Sequence, residues 1–108
     1  MASVPQPIQE LINDFLRKVS QQINVDRVIL FGSYASGLYT DDSDVDLAVF
    51  SNDFMGMEPI DRFRFLFLQA VDYDIDLQPL AFTADDLMNP AGIVAEILNT
   101  GLEVAITN

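Results

Sequence analysis

Two short, β-rich apolar runs, residues 28–31 and 44–50, are separated by only one small, polar, turn-prone stretch, residues 32–43. A join that short cannot carry the crossover helix that parallel neighbours need, so it predicts two adjacent antiparallel strands. The rest of the chain has to be arranged around that pair. Upstream, Ile8, Leu11, Ile12, Phe15, Leu16, Val19 and Ile23 recur at i, i+3, i+4, i+7 spacing, which predicts an amphipathic helix over residues 8–23. Downstream, residues 58–71 are too long for a typical strand and poor in β-branched side chains. They predict a helix that is apolar on most sides, and the excess over one helical face suits either the core or a partner or self-association surface.

Residues 74–82 (DIDLQPLAF) predict a third strand, with Pro79 marking its edge or end. Thr83 is placed to cap the backbone at Asp85 and Asp86. Residues 90–99 predict a last helix stopped by Thr100-Gly101, with a short tail beyond it and a turn-prone lead, MASVPQP, at the start. The order is therefore α-β-turn-β-α-β-α. The fold class is α+β: a mixed sheet of three strands or slightly more, in order 1-2-3, with helices behind it. A helical crossover lets the third strand lie parallel to the second. At 108 residues this is a single domain spanning residues 1–108.

Composition narrows the chemistry. Seventeen acidic against five basic side chains give a net charge of −12, which disfavours direct nucleic-acid binding and favours divalent cations and basic protein partners. Cysteine and histidine are both absent, which removes thiolate nucleophiles, imidazole bases and sulfur- or imidazole-ligated metals. No apolar stretch approaches the roughly 20 residues of a membrane span, and the start lacks the build of a signal peptide. The expected address is the cytoplasm, with no membrane partner.

The informative segment is GSYASGLYTDDSDVDL, residues 32–47. Gly32-Ser33 ends a strand and opens a turn that also holds Ser36 and Gly37, where backbone N–H groups and hydroxyls can approach a phosphate. Asp44 and Asp46 stand two apart on a strand, so both leave one face, about 6.7 Å apart at Cα. Val45, Leu47 and Val49 take the other face. Two carboxylates about 7 Å apart repel by roughly 0.6 kcal/mol in water and roughly 2.4 kcal/mol at an effective dielectric near 20. A hard dication reverses that field, and with oxygen ligands alone the choice is Mg²⁺ or Mn²⁺, Mg²⁺ arriving with phosphates. Asp74 and Asp76 repeat the i, i+2 spacing on the third strand. Asp76, flanked by Ile75 and Leu77, is the favoured third carboxylate, which would hold the metal that activates an attacking hydroxyl or take its proton; Asp74 is the reserve. Asp41 and Asp42 read as loop solvation.

Gly32-Ser33, ten intervening residues, then Asp44-Val45-Asp46 resembles the GS-x10-DxD signature of the polymerase-beta-type nucleotidyltransferase superfamily. Chain length, the leading helix, VILFGSYASG and IDLQPL are similar to its minimal nucleotidyltransferase branch, over roughly residues 8–106. The resemblance implies a mixed-sheet nucleotidyltransferase fold, two Mg²⁺ ions, and transfer of a nucleoside monophosphate from an NTP such as ATP with release of pyrophosphate. It implies that Gly32 and Ser33 contact the triphosphate, that Asp44 and Asp46 ligate metal, and that Asp76 is the third carboxylate. It also implies an antitoxin role beside a helical HEPN-type partner, with AMP transferred to a partner tyrosine. Where members of the branch often carry arginine directly after Gly-Ser, this chain has Tyr34. A second function class stays open beside the enzyme: a non-catalytic antitoxin that masks a basic partner. A third, nucleotidyl transfer to a small molecule, would need an acceptor pocket that a domain this small supplies only as a homodimer.

Overall fold

A computed structural model describes residues 4–106; residues 1–3 and 107–108, parts of the lead and the tail, lie outside it. Helix α1 spans Gln6–Ser20 and buries Ile8, Ile12, Phe15, Leu16 and Val19, the stripe its spacing predicts. Arg17 and Lys18 occupy its last turn, where cations complement the helix dipole. The helix stops three residues before Ile23, because the amides of Gln22 and Ile23 both turn back to the Val19 carbonyl. Ile23 still packs against the core from beyond the end.

Strand β1 (Arg27–Phe31) leads through the short helix α2 (Ser33–Ser36) into β2 (Val45–Phe50). β1 and β2 pair antiparallel, as their short join requires, with Phe31 opposite Asp46. A 3-10 turn (Asn52–Phe54) and helix α3 (Pro59–Ala70) carry the chain over to β3 (Leu77–Phe82), which lies parallel to β2 with Val45 opposite Leu77. Pro79 sits in the middle of β3, and its missing N–H is tolerated because β3 is the sheet edge. Helix α4 (Ala84–Met88) opens with a reciprocal cap: Thr83 Oγ1 accepts from the Asp86 amide, and the Asp86 carboxylate accepts from the Thr83 amide. Helix α5 (Ile93–Thr100) follows.

One expectation is revised, and two that stood open are decided. The sheet has four strands, in the order β3-β2-β1-β4, because Leu102–Glu103 forms a short strand β4 on the free edge of β1. Gly101 allows that return: a Cβ there would lie 2.2 Å from Ile29 Cγ2 and 2.7 Å from the Ile97 carbonyl. The third strand begins at Leu77 rather than residue 74, so Asp74 and Asp76 precede it. Of the apolar residues on α3 only Leu66 and Ala70 are buried, while Phe63 and Phe67 stack on each other and stay nearly half exposed, at 47 % and 45 %.

The sheet separates two environments. Val28, Leu30, Val45, Leu47 and Val49 face α1 and α3 in the main core. Ile29, Ala48 and Phe50 face α5 with Val94 and Ile97 in a smaller one. Along β2 the second face continues past that smaller core to Asp46 and Asp44, so the site begins where the helical cover ends.

Candidate active site

At the end of β1 the backbone of Gly32 takes φ +74°, a conformation L side chains rarely adopt. A Cβ built there would meet Asp46 Oδ2 at 2.3 Å. Glycine is required twice over at this position, for the turn and for the approach of the Asp46 carboxylate to the chain. Ser33 then opens α2, and its carbonyl accepts from the Gly37 amide (3.0 Å), the Leu38 amide (3.1 Å) and the Ser36 hydroxyl (3.2 Å). The hydroxyl of Ser36 and the amide of Gly37 are thus engaged in closing the turn, with Gly37 at φ +84°. Of the four turn residues, Gly32 is the one whose backbone abuts a carboxylate, that of Asp46.

Asp44 is exposed at the mouth of β2, and Asp46 is half-buried one pleat further in. Asp76 reaches them through the sheet. The Val45 amide donates to the Asp76 carbonyl at 2.9 Å, which extends the parallel ladder by one residue and sets Asp76 beside Asp44. Contact with Asp76, first as a hydrogen-bonded carboxyl pair and then as charge, raises the Asp44 pKa above the usual carboxylate range. Burial raises that of Asp46, and the charges of Asp44 and Asp76 raise it further. Gln78, opposite Asp46, donates from Nε2 to Asp76 Oδ1 at 2.7 Å and fixes that carboxylate's orientation. Asp74 is exposed and lines a cavity of about 240 Å³ with Asp41, Asp42 and Asp76.

Residues 8–91 match the nucleotidyltransferase domain family. The chain belongs to that family. A candidate protein adenylyltransferase of Methanocaldococcus jannaschii is 30 % identical over 100 residues, which is 90 % of this chain and 98 % of that protein. The fold agrees. A candidate nucleotidyltransferase from Sulfolobus solfataricus superposes with a TM-score of 0.69 at 18 % identity, over 88 % of this chain and 77 % of that one. A toxin–antitoxin structure with AMP-PNP superposes at 0.62 with 24 % identity, over 92 % of this chain and 73 % of that one.

For a nucleotidyltransferase the donor set has a definite meaning. Three crowded carboxylates, of which Asp44 and Asp46 have raised pKa values, offer oxygen donors alone and fit a hard dication. Among the described residues, however, no group of three or more acidic side chains is arranged to hold a metal ion by itself.

Two features of this nucleotidyltransferase were hidden from sequence. Tyr34 points away from the carboxylates into the main core, 5 % exposed, and stacks on Tyr39 with ring centroids 4.6 Å apart. The side chain directly after Gly-Ser is therefore structural here. Gln78 was overlooked; its only signal was the i, i+2 step after Asp76, which returns its side chain to the same sheet face.

Proposed function

We propose that this nucleotidyltransferase transfers AMP from ATP, with Mg²⁺, to a tyrosine hydroxyl of a HEPN-type toxin partner in the cytoplasm, and so acts as the antitoxin. The observation that carries the proposal is the meeting of Asp44, Asp46 and Asp76 beside a glycine turn whose backbone abuts the Asp46 carboxylate. The adenylyltransferase relative and the toxin–antitoxin neighbour support the choice of acceptor and donor.

Asp44 and Asp46 would hold the metal, with Asp76 as the third carboxylate. When bound, the two Mg²⁺ ions neutralise triphosphate charge and the charge developing on the attacking and leaving oxygens. Gly32 and Ser33 orient the triphosphate against β2, while Ser36 and Gly37 shape the turn that presents them. Asp76, held by Gln78, takes the proton of the acceptor hydroxyl. The hydroxyl oxygen bonds to the α-phosphorus, the bond from that phosphorus to the bridging oxygen of the β-phosphate breaks, and pyrophosphate leaves.

Incubating the protein and the product of its neighbouring gene with α-labelled ATP and Mg²⁺ tests this. Label should enter the neighbour on tyrosine. Failure to label, or equal labelling by the Asp44→Asn, Asp46→Asn double variant, defeats the proposal. The exposed aromatic face of α3 and the −12 charge favour one other reading, an antitoxin that masks a basic partner without catalysis. Under that reading the same double variant still neutralises the toxin in cells.

A further inference from the structure

A cavity beside the carboxylates has no part in the chemistry described so far. It encloses about 420 Å³ between the end of β1, helix α2 and helix α5, with Phe31, Gly32, Ala35, Ile93, Glu96 and Ile97 on its walls. Three observations tie it to the reacting centre. Gly32 lines the cavity and also abuts Asp46 Oδ2. Phe31 lines it and is the cross-strand partner of Asp46, so the two side chains leave the same sheet face. Ile97 supplies a wall from the smaller core, which makes the cavity floor part of the rigid scaffold.

The lining is mostly apolar and carries one charge. Thr100, at its rim, spends its hydroxyl on the Glu96 carbonyl at 2.8 Å. The Glu96 carboxylate has no hydrogen bond or ion pair among the described residues, and Ile93 is 54 % exposed at the mouth. An apolar slot of this size with one convergent polar group suits a flat, aromatic, partly polar ligand. A triphosphate stretched from Gly32 toward Asp44 leaves the remainder of its nucleotide at this opening.

We infer that the cavity between α2 and α5 binds the nucleoside half of the substrate, the base lying between Phe31 and Ile93/Ile97 and its exocyclic amino group donating to Glu96. The inference rests on the nucleotidyl-transfer reading and adds a source of base selectivity to it. A carboxylate can only accept, so it favours adenine, whose edge offers an amino group, over uracil, whose two carbonyls flank a single N–H. Asp44, Asp46 and Asp76 play no part in that choice.

Titrations of the full chain with Mg²⁺-ATP, Mg²⁺-UTP and Mg²⁺-tripolyphosphate, followed by amide NMR, test the assignment. ATP should shift the resonances of Ile93, Glu96 and Ile97, whereas tripolyphosphate should move those around Gly32 and Ser33 alone. Ala35→Leu, which fills the slot, should weaken ATP about tenfold and leave tripolyphosphate unchanged. Glu96→Gln, a surface change that should not disturb folding, should shrink the preference for ATP over UTP severalfold. Identical shift maps for ATP and tripolyphosphate, or unaltered base preference in Glu96→Gln, would overturn the assignment while leaving the triphosphate site standing. A wild-type protein that binds none of the three would remove the nucleotidyl-transfer reading, and the cavity's role with it.

Discussion

The two faces of the segment from Asp44 to Phe50 share a buried far half, Ala48 and Phe50 lying under α5, and differ at its leading end. Val45, Leu47 and Val49 are fully buried against α1 and α3. Asp44 and Asp46, interleaved with the first two, crowd each other and Asp76 on the side where helical cover runs out. One face supplies the stability that the other spends: the sealed side can hold the strand while the acidic side stays electrostatically uncomfortable. The separation holds because a strand sends successive side chains to opposite faces, so changes on one face need not propagate to the other.

The sharpest way to test that separation is to remove the discomfort. Asp44→Asn with Asp46→Asn should lower nucleotidyl transfer by about 10³-fold, from loss of the groups that organise charge at the reacting centre. The same variant should melt no lower than wild type. A carboxyl whose pKa is raised by folding prefers its neutral form, so its ionisation costs stability as pH rises through that folded value. At neutral pH the cost is present, and asparagine relieves it. Thermal unfolding near pH 7 checks the sign, and a marked drop in Tm would show that the acidic face also carries structural weight. Leu47→Ala, on the opposite face of the same strand, should cost about 3 kcal/mol in urea unfolding by leaving a cavity in the main core.

Glycine provides a smaller and more local comparison. Gly32→Ala combines a positive φ with a collision at the Asp46 carboxylate, so about 1–3 kcal/mol of stability should go together with most of the activity. Gly37 also has positive φ, but nothing lies within 4 Å of a Cβ built there. Gly37→Ala should cost only about 1 kcal/mol and leave transfer largely intact. Equal activities for the two variants would mean that the approach of Gly32 to Asp46 is not part of the site.

Local signals were the legible ones. The helix stripe before Ser20, the antiparallel pair and the spacing from Gly32 to Asp46 depend on neighbours close in sequence, so periodicity and turn chemistry reach them. The start of β3 was not legible, because it is set by where β2 begins: Val45 is the first residue offering a ladder partner, and only the Asp76 carbonyl is caught before Leu77. β4 escaped because two residues have no period, and its existence depends on the absence of a side chain at Gly101 under Ile29. The excess of phenylalanine on α3 was visible, but which face meets the sheet is decided by α1 and β3. Tyr34 was legible only as the residue after Gly-Ser, because nothing local reveals that the first turn of α2 rolls it inward onto Tyr39.

Away from both faces of β2, a polar clamp joins α1 to the loop after α3 and should give the smallest effect, visible mainly through pH. The Tyr73 hydroxyl donates to Asp14 Oδ2 at 2.6 Å, and Lys18 lies 4.5 Å from the centre of the Tyr73 ring. That hydrogen bond, aided by Arg17 and Lys18, lowers the Asp14 pKa against a smaller opposing effect of burial. Burial, then the bond to Asp14, drives the Tyr73 pKa far above its ordinary value. For Asp14, lowered on folding, the stabilisation is present above the unfolded value near 3.9 and fades as pH falls through the folded one. For Tyr73, raised on folding, it is complete below the unfolded value near 10 and fades as pH climbs from there toward the folded one. Tyr73→Phe should therefore cost about 1 kcal/mol across a plateau from roughly pH 5 to pH 9, with the difference from wild type shrinking at both ends. Urea unfolding of both proteins from pH 3 to pH 11 measures that difference directly. A difference that stays constant into either limb would mean that the clamp acts through packing of the ring, with the hydroxyl contributing nothing.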